Sequence, residues 1–233
     1  AIFRGAGLFC KSIANKLADW NKPRATVLSA TNFIMNNGAL EAMQFDGRLN
    51  LGLLIAEDSN TYPVNSSMPA DAFSVDIWFM LDTDAGSPSV NRGLIAAFVP
   101  GSVIPSSQQV ESECTAGWRL SYKAQLKGST NVLSTVLTFE LVAHNKTDES
   151  NPNITYAEPV AKLKTTSPAL SLRAGEWHHV LAVSDMHQLS IYLDGKLVEG
   201  ASDVTCPTCQ GPVYKRESAS CAMIKTPVTI GTF

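Results

Sequence analysis

The sequence has no marked excess of charge of either sign and no long apolar run. Its 233 residues include 18 Lys and Arg against 21 Asp and Glu, a formal net charge of -3. An excess of basic residues, which would attract nucleic acid, is absent here. The longest apolar runs, such as 93–100, are far too short to span a bilayer. No basic, apolar, small-residue leader opens the sequence. We therefore expect either a chain whose signal peptide has been removed or an internal piece of a longer protein.

Motifs for catalysis and for metal binding are equally scarce. There is no Gly-x-Ser-x-Gly elbow and no phosphate loop, and Cys206 and Cys209 have no second Cys-x-x-Cys pair to complete a zinc site. His178 and His179 are adjacent in a predicted strand, so they point to opposite faces and cannot ligate one metal without a third element. We predict no catalytic, cofactor-binding or metal-ligating residue, and we do not expect an enzyme.

Helical patterning is confined to one segment near the start of the chain. Phe9, Ile13, Leu17 and Trp20 recur at helical intervals, and Pro23 ends the pattern. We expect a short helix that packs on the remaining domain or on a neighbour. A helix lying on a membrane surface is the alternative, although its basic residues give it little support.

Strand patterning dominates the rest of the chain. In 177–198, apolar residues alternate with other residues, and Asp194-Gly195 supplies the positive-φ positions of a two-residue hairpin turn. The segments 73–81, 118–126 and 133–141 alternate in the same way, and 160–164 resembles a lysine-protected edge strand. We predict a buried core that includes the following residues: Trp118, Leu120, Phe139, Trp177 and Leu193. In the 73–81 strand Trp78 interrupts the polar face, where it either covers the sheet beneath a loop or forms a sugar-stacking platform.

These motifs together resemble a known family. Residues 175–180 and 189–195 are similar to the signature hairpin of the laminin G-like jelly rolls, which belong with the pentraxins to the concanavalin A-like lectin and glucanase superfamily. Phe45-Asp46-Gly47, 73–79 and Thr229-Ile230-Gly231 resemble that family's early turn, core strand and late strand, in the expected order. The resemblance implies an all-β fold, an antiparallel β-sandwich (jelly roll), here with the short N-terminal helix. It does not by itself imply an activity.

The resemblance also suggests a domain organisation. We expect an N-terminal helical segment over 1–25, followed by a laminin G-like sandwich over 26–233. The stretch 200–222 is longer than the family's usual connection, so we interpret it as a cysteine-bearing insertion. The family's closing strand would follow Phe233, and we expect that further residues of a longer protein or another segment fill its place.

Cysteines and glycosylation sequons point to an oxidising compartment. The five cysteines lie outside the predicted core strands and are disulfide candidates, with open connectivity and an odd count: Cys10, Cys114, Cys206, Cys209 and Cys221. Three sequons lie in predicted loops, at Asn65, Asn145 and Asn153. We therefore expect a secreted, extracellular or cell-surface glycoprotein.

Three functions follow from the resemblance and the composition. The leading hypothesis is a non-catalytic recognition or assembly module, whose partners are other protein chains or domains of the same assembly. The second is a glycan-binding lectin-like domain, with Ca²⁺ as the possible ion, held by carboxylates among Asp58, Asp82, Asp84, Asp148 and Glu149. The third is a polysaccharide-active enzyme, although the paired-carboxylate run of the glucanases does not occur. We expect no nucleic-acid partner and no membrane span.

Overall fold

The computed structural model of the chain describes thirteen parts of the sequence. They are residues 2–4, 25–27, 32–36, 39–44, 53–55, 69, 71–83, 91–99, 115–128, 130–145, 160–198, 205–213 and 228–230. The helix expected over 9–20 and the turn at Asp46-Gly47 lie outside these residues.

The described residues form sixteen strands. Their bounds are β1 Ile2–Arg4, β2 Ala25–Val27, β3 Asn32–Asn36, β4 Ala39–Gln44, β5 Leu53–Ile55, β6 Phe73–Met80, β7 Arg92–Val99, β8 Ala116–Leu126, β9 Val132–Asn145, β10 Val160–Thr166, β11 Leu170–Arg173, β12 Trp177–Ser184, β13 Leu189–Leu193, β14 Lys196–Leu197, β15 Cys209–Pro212 and β16 Val228–Ile230. Every pair between them is antiparallel. The all-β fold expected from the sequence is therefore confirmed.

Two sheets make up the sandwich. Sheet A has the strand order β14-β13-β12-β6-β1-β4-β3, and sheet B has the order β10-β9-β8-β7-β16-β5-β2, with β11 and β15 also paired to β9. The lysine-bearing strand β10 lies at one end of the sheet B order, as predicted for an edge strand. The late strand β16 pairs with β7 on one side and β5 on the other.

The core lies between the sheets and is filled by alternate residues of the long strands. The largest fully buried side chains are Phe79, Phe139, Leu81, Leu94, Leu120, Leu133, Leu137, Leu141, Leu163, Ile191 and Val142. In β6 the odd-numbered residues face inward and Ser74, Asp76 and Trp78 face outward, which is the period-two pattern read from the sequence. Trp118, Leu120 and Phe139 are buried as predicted.

Strand β12 has the opposite facing from the one we predicted. Val180, Ala182 and Ser184 are the fully buried residues of this strand, and Trp177 is only half-buried on the outer side. Leu193 is also half-buried, although it packs against the core. The prediction of Trp177 as a buried core residue was wrong, because both faces of β12 carry apolar side chains and alternation alone does not say which face points inward.

Candidate functional site

The outer face of sheet A carries an unusual concentration of large apolar side chains. Trp78 in β6 is 41% exposed and Leu197 in β14 is 55% exposed. Between them the outward residues of β12 and β13 are half-buried, among them Leu181 and Tyr192. The solvent face of an antiparallel sheet normally carries polar residues, so this composition needs a reason.

The strand register places these side chains in rows across the sheet. Leu181 lies opposite Asp76 on one side and opposite Tyr192 on the other, and Tyr192 lies opposite Leu197. Directly opposed residues in an antiparallel pair have Cβ atoms about 4.5–5.5 Å apart, so the row is continuous. We call the outward side chains of β6, β12, β13 and β14 the aromatic face.

Trp78 lies at the polar end of the aromatic face. It is directly opposite His179, and the indole and imidazole ring centroids are 5.0 Å apart with 36° between the planes. His179 Nε2 lies 2.9 Å from Asp76 Oδ1, and because an ionised carboxylate only accepts, the imidazole N–H donates. Asp76 therefore fixes the imidazole beside the indole, and the indole keeps an exposed side.

A second aspartate, Asp194, lies in the turn between β13 and β14 and contacts both histidines of β12. Asp194 has φ 49° and Gly195 has φ 78°, the conformations predicted for the Asp194-Gly195 turn. Asp194 Oδ1 accepts a hydrogen bond from the His179 backbone N–H at 2.8 Å, and Oδ2 lies 2.9 Å from His178 Nδ1. Partial burial raises the pKa of Asp194, but the hydrogen bonds from His178 and His179 outweigh it and hold the pKa below the usual value.

The cysteines predicted to form disulfides are only partly within the described residues. Two of the disulfide candidates, Cys206 and Cys209, form a disulfide with each other, with a Cα–Cα distance of 5.3 Å. In the strand register Cys209 of β15 lies opposite Asn145 at the end of β9. Cys10, Cys114 and Cys221 lie outside the described residues, and their pairing stays a prediction.

The sequon asparagines and the calcium candidates also lie only partly within the described residues. We expected Asn145 in a loop, but it is the last residue of β9. Its Oδ1 accepts a hydrogen bond from Thr208 Oγ1 at 2.5 Å. Asp82 Oδ1 accepts from the Thr83 backbone N–H at 2.6 Å. The remaining candidates lie outside the described residues: Asn65, Asn153, Asp58, Asp84, Asp148 and Glu149.

The described residues contain neither a metal-binding cluster nor a membrane-spanning helix. No group of three or more His, Cys, Asp or Glu side chains in this part of the chain could hold a metal ion. For a membrane span, a helix would have to be long and apolar, and the described part of the chain has none of that kind.

The sequence indicated only part of the aromatic face. Trp78 was visible because it interrupts the polar side of β6, and a sugar-stacking platform was one of its two interpretations. The pairing of His179 with Asp76 and the row that ends at Leu197 were missed, because both depend on cross-strand register. Neighbours on the sheet such as Asp76 and His179 are distant in sequence, so alternation within one strand gives no signal for them.

An antiparallel β-sandwich with these hairpins defines a lectin-like jelly roll of the concanavalin A type. The laminin G 3 family model, described as the concanavalin A-like lectin/glucanases superfamily, matches residues 55–214, which is more than half of the chain. The chain belongs to this superfamily. A comparison with curated proteins gives no match. Membership fits a carbohydrate-binding or recognition module in general; such domains are generally non-catalytic, although the superfamily includes glycosidases.

Proposed function

We propose that this chain is a non-catalytic extracellular recognition and assembly module of a larger secreted or cell-surface glycoprotein. Its binding surface in this proposal is the aromatic face of sheet A. The observation that carries the proposal is the position of Trp78, which is 41% exposed beside the half-buried apolar row that ends at Leu197. Its partners are other protein chains or domains of the same assembly.

The energetics of the aromatic face favour a protein partner. A fully buried aromatic side chain removes about 150–250 Å² from water. At about 25 cal/mol per Å², burying the exposed part of Trp78 contributes on the order of 2 kcal/mol. Tryptophan is among the residues that contribute most at interfaces, and an apolar centre with a polar rim is the usual arrangement. Asp76, at 52% side-chain exposure, provides such a rim beside His179.

The proposed extracellular location is supported by the disulfide between Cys206 and Cys209. Disulfides persist in oxidising compartments and are rare in the cytosol. The superfamily membership supports the same location, because laminin G-like domains are typically extracellular.

A lectin-like function is the second candidate, and one specific arrangement favours it. Trp78 offers an exposed ring for stacking on a sugar, and Asp76 beside it offers carboxylate oxygens that accept hydrogen bonds from hydroxyls. Calcium dependence belongs to this candidate, with loop carboxylates as the proposed ligands. A polysaccharide-active enzyme is the third and least supported function.

The first experiment measures association of the chain by light scattering over a concentration series. For the assembly function we expect the weight-average molar mass to rise with protein concentration, and we expect Trp78→Ala to reduce this rise. Leu126→Ala is the matched control, since Leu126 is an exposed apolar residue of sheet B at 36%. A folded monomer at all concentrations, unchanged by Trp78→Ala, would contradict assembly through this face.

The second experiment separates the glycan-binding function from the assembly function. Binding to a glycan array is measured with and without a chelator, using the wild type, Trp78→Ala and Leu126→Ala. Saturable binding that only Trp78→Ala abolishes would replace assembly by the lectin function, and loss of binding with the chelator would add calcium. Release of reducing ends from an array polysaccharide would instead support the enzyme.

A further inference from the structure

The disulfide between Cys206 and Cys209 joins one sheltered cysteine to one that solvent reaches. Cys209 is 1% exposed and belongs to the core, whereas Cys206 is half-buried. Both residues that flank Cys206, Thr205 and Pro207, are exposed. A thiol from outside the chain can therefore approach the disulfide from the Cys206 side, while the protein covers Cys209.

Each of the two cysteines also has a backbone partner outside the loop that the disulfide closes. The Cys206 backbone N–H donates to the His187 carbonyl at 2.8 Å. His187 Nδ1 lies 3.2 Å from the Cys206 carbonyl oxygen, and because a carbonyl only accepts, the imidazole N–H donates. Cys209 begins β15, which pairs with the end of β9 and places Cys209 opposite Asn145. These contacts keep the two sulfurs near each other when the bond between them opens.

The loop closed by this disulfide is very short. The two cysteines are three positions apart in the sequence, and the stability that a disulfide adds through chain entropy falls with the length of the loop it closes. Most of the core cluster belongs instead to the long strands β6, β8, β9, β12 and β13. We therefore expect the sandwich to stay folded when this bond opens, which is a requirement for a disulfide that reacts in the native protein.

We propose that the Cys206–Cys209 disulfide is an exchange site, at which a cysteine thiol of another polypeptide becomes covalently attached to Cys206. The incoming thiolate attacks the Cys206 sulfur, and the bond between the two sulfurs of the chain breaks. Cys209 leaves with the electron pair and takes up a proton. The products are a mixed disulfide at Cys206 and a buried Cys209 thiol.

This exchange balances without an added oxidant or reductant. The sulfur of the incoming thiolate is oxidised as the Cys209 sulfur is reduced, so the number of disulfides stays the same. Attack by Cys209 on the mixed disulfide reverses the reaction and releases the partner. Because Cys209 remains beside Cys206 through its place in β15, the attachment is reversible. The exposed residues on both sides of Cys206 leave room for a partner larger than a small thiol.

The first experiment measures how fast the disulfide opens in the folded wild type. The protein is incubated with a short peptide that carries one central cysteine, or with glutathione, and is then alkylated and digested with trypsin. Cleavage after Lys196 and Lys215 places Cys206 and Cys209 in one peptide, apart from the other cysteines of the chain. We expect opening by the cysteine peptide within about tenfold of the rate in urea, because folding leaves Cys206 accessible. Opening that requires urea, or that glutathione causes and the peptide does not, would overturn the proposal.

The second experiment identifies the sulfur that is attacked. Cys209→Ser and Cys206→Ser each leave one thiol of the pair, and both are incubated with the symmetrical disulfide of the same peptide. Cys209→Ser should form the mixed disulfide at least about tenfold faster than Cys206→Ser, since access controls the reaction of a thiol. Both variants in urea provide the control and should react at equal rates.

The outcomes distinguish this site from the aromatic face. Equal rates for the two folded variants, or faster reaction of Cys206→Ser, would overturn the proposal. Where circular dichroism shows that either variant is unfolded, the opening rate of the wild type decides by itself. Trp78→Ala should leave every exchange rate unchanged, so failure here is distinct from failure of the proposed function.

Discussion

His178 and His179 are neighbours in β12, yet their imidazoles lie on opposite faces of sheet A and contact different aspartates. His178 Nδ1 lies 2.9 Å from Asp194, and its ring centroid is 6.1 Å from that of the buried Phe79. His179 Nε2 lies 2.9 Å from Asp76 on the outer side. The adjacent pair therefore divides between two tasks, since one imidazole supports the hairpin and the other builds the aromatic face.

Replacing Asp194 by Asn tests the hairpin contacts with the turn geometry preserved. Asn tolerates positive φ at this position, so Asp194→Asn removes mainly the charge that His178 and the His179 N–H contact. We expect the variant to lose less than about 1 kcal/mol of unfolding free energy at pH 7, because the Asp194 side chain is 48% exposed. Urea unfolding measures this loss.

The loss should depend on pH in a defined direction. The folded chain lowers the pKa of Asp194, so the contribution is complete above the ordinary value of 3.8 and disappears as pH falls through the lower folded-state pKa. The unfolding free energies of wild type and Asp194→Asn should therefore converge in acid. Asp194→Ala, which also loses tolerance of positive φ, should remain less stable at low pH. A wild-type advantage over Asn that persists unchanged below the folded-state pKa would refute the electrostatic explanation.

The burial gradient along β13 is tested by two truncations on the core-facing side of the strand. Ile191 is fully buried and Leu193 is half-buried. Ile191→Ala should cost about 2–5 kcal/mol through lost contacts and a cavity, and Leu193→Ala clearly less. Denaturant unfolding of both variants provides the comparison. The opposite ranking would show that Leu193, and not Ile191, is the more deeply packed residue of this face.

The neighbouring strands β6 and β12 show how far sequence reasoning could go. In β6, Ser74 and Asp76 alternate with apolar residues, so the inward face followed from the pattern. In β12, Trp177 and Leu181 on one face compete with Val180 and Ala182 on the other. Hydrophobicity does not choose between two apolar faces, and the larger side chains suggested the wrong one. The strands and the Asp194-Gly195 turn were predictable because both depend on local patterns, and the sandwich was expected from the resemblance of these motifs to a known family.

Gly117 in β8 tests a close approach between neighbouring strands. It has φ 88°, and a Cβ at this position would lie 1.8 Å from the backbone oxygen of Ala97. Gly117→Ala should therefore destabilise the sandwich by more than about 3 kcal/mol or prevent folding, because backbone must move as well as adopt a strained φ.

The matched control is Gly175→Ala. Gly175 has φ 82°, and its Cβ would meet no atom within 4 Å. It carries the strain without the collision, at a cost of about 1–2 kcal/mol. Thermal unfolding of both variants separates the two effects. Equal losses of thermal stability in the two variants would show that β7 and β8 are less closely packed at Gly117 than described.

The disulfide between Cys206 and Cys209 is expected to hold β15 against the end of β9. The Cys206 backbone N–H donates to the His187 carbonyl at 2.8 Å, so the cysteine loop joins the β12–β13 turn to β9. Closing so short a loop contributes about 2 kcal/mol in the chain-entropy description. Changing both cysteines to Ser should therefore lower the unfolding free energy by that amount and speed hydrogen exchange in 205–213, while exchange in 189–193 stays unchanged. Reductant should destabilise the wild type more than the double variant, which controls for cysteines elsewhere. Free thiols at both positions in unreduced protein, found by mass spectrometry, would contradict the disulfide and weaken the proposed extracellular location.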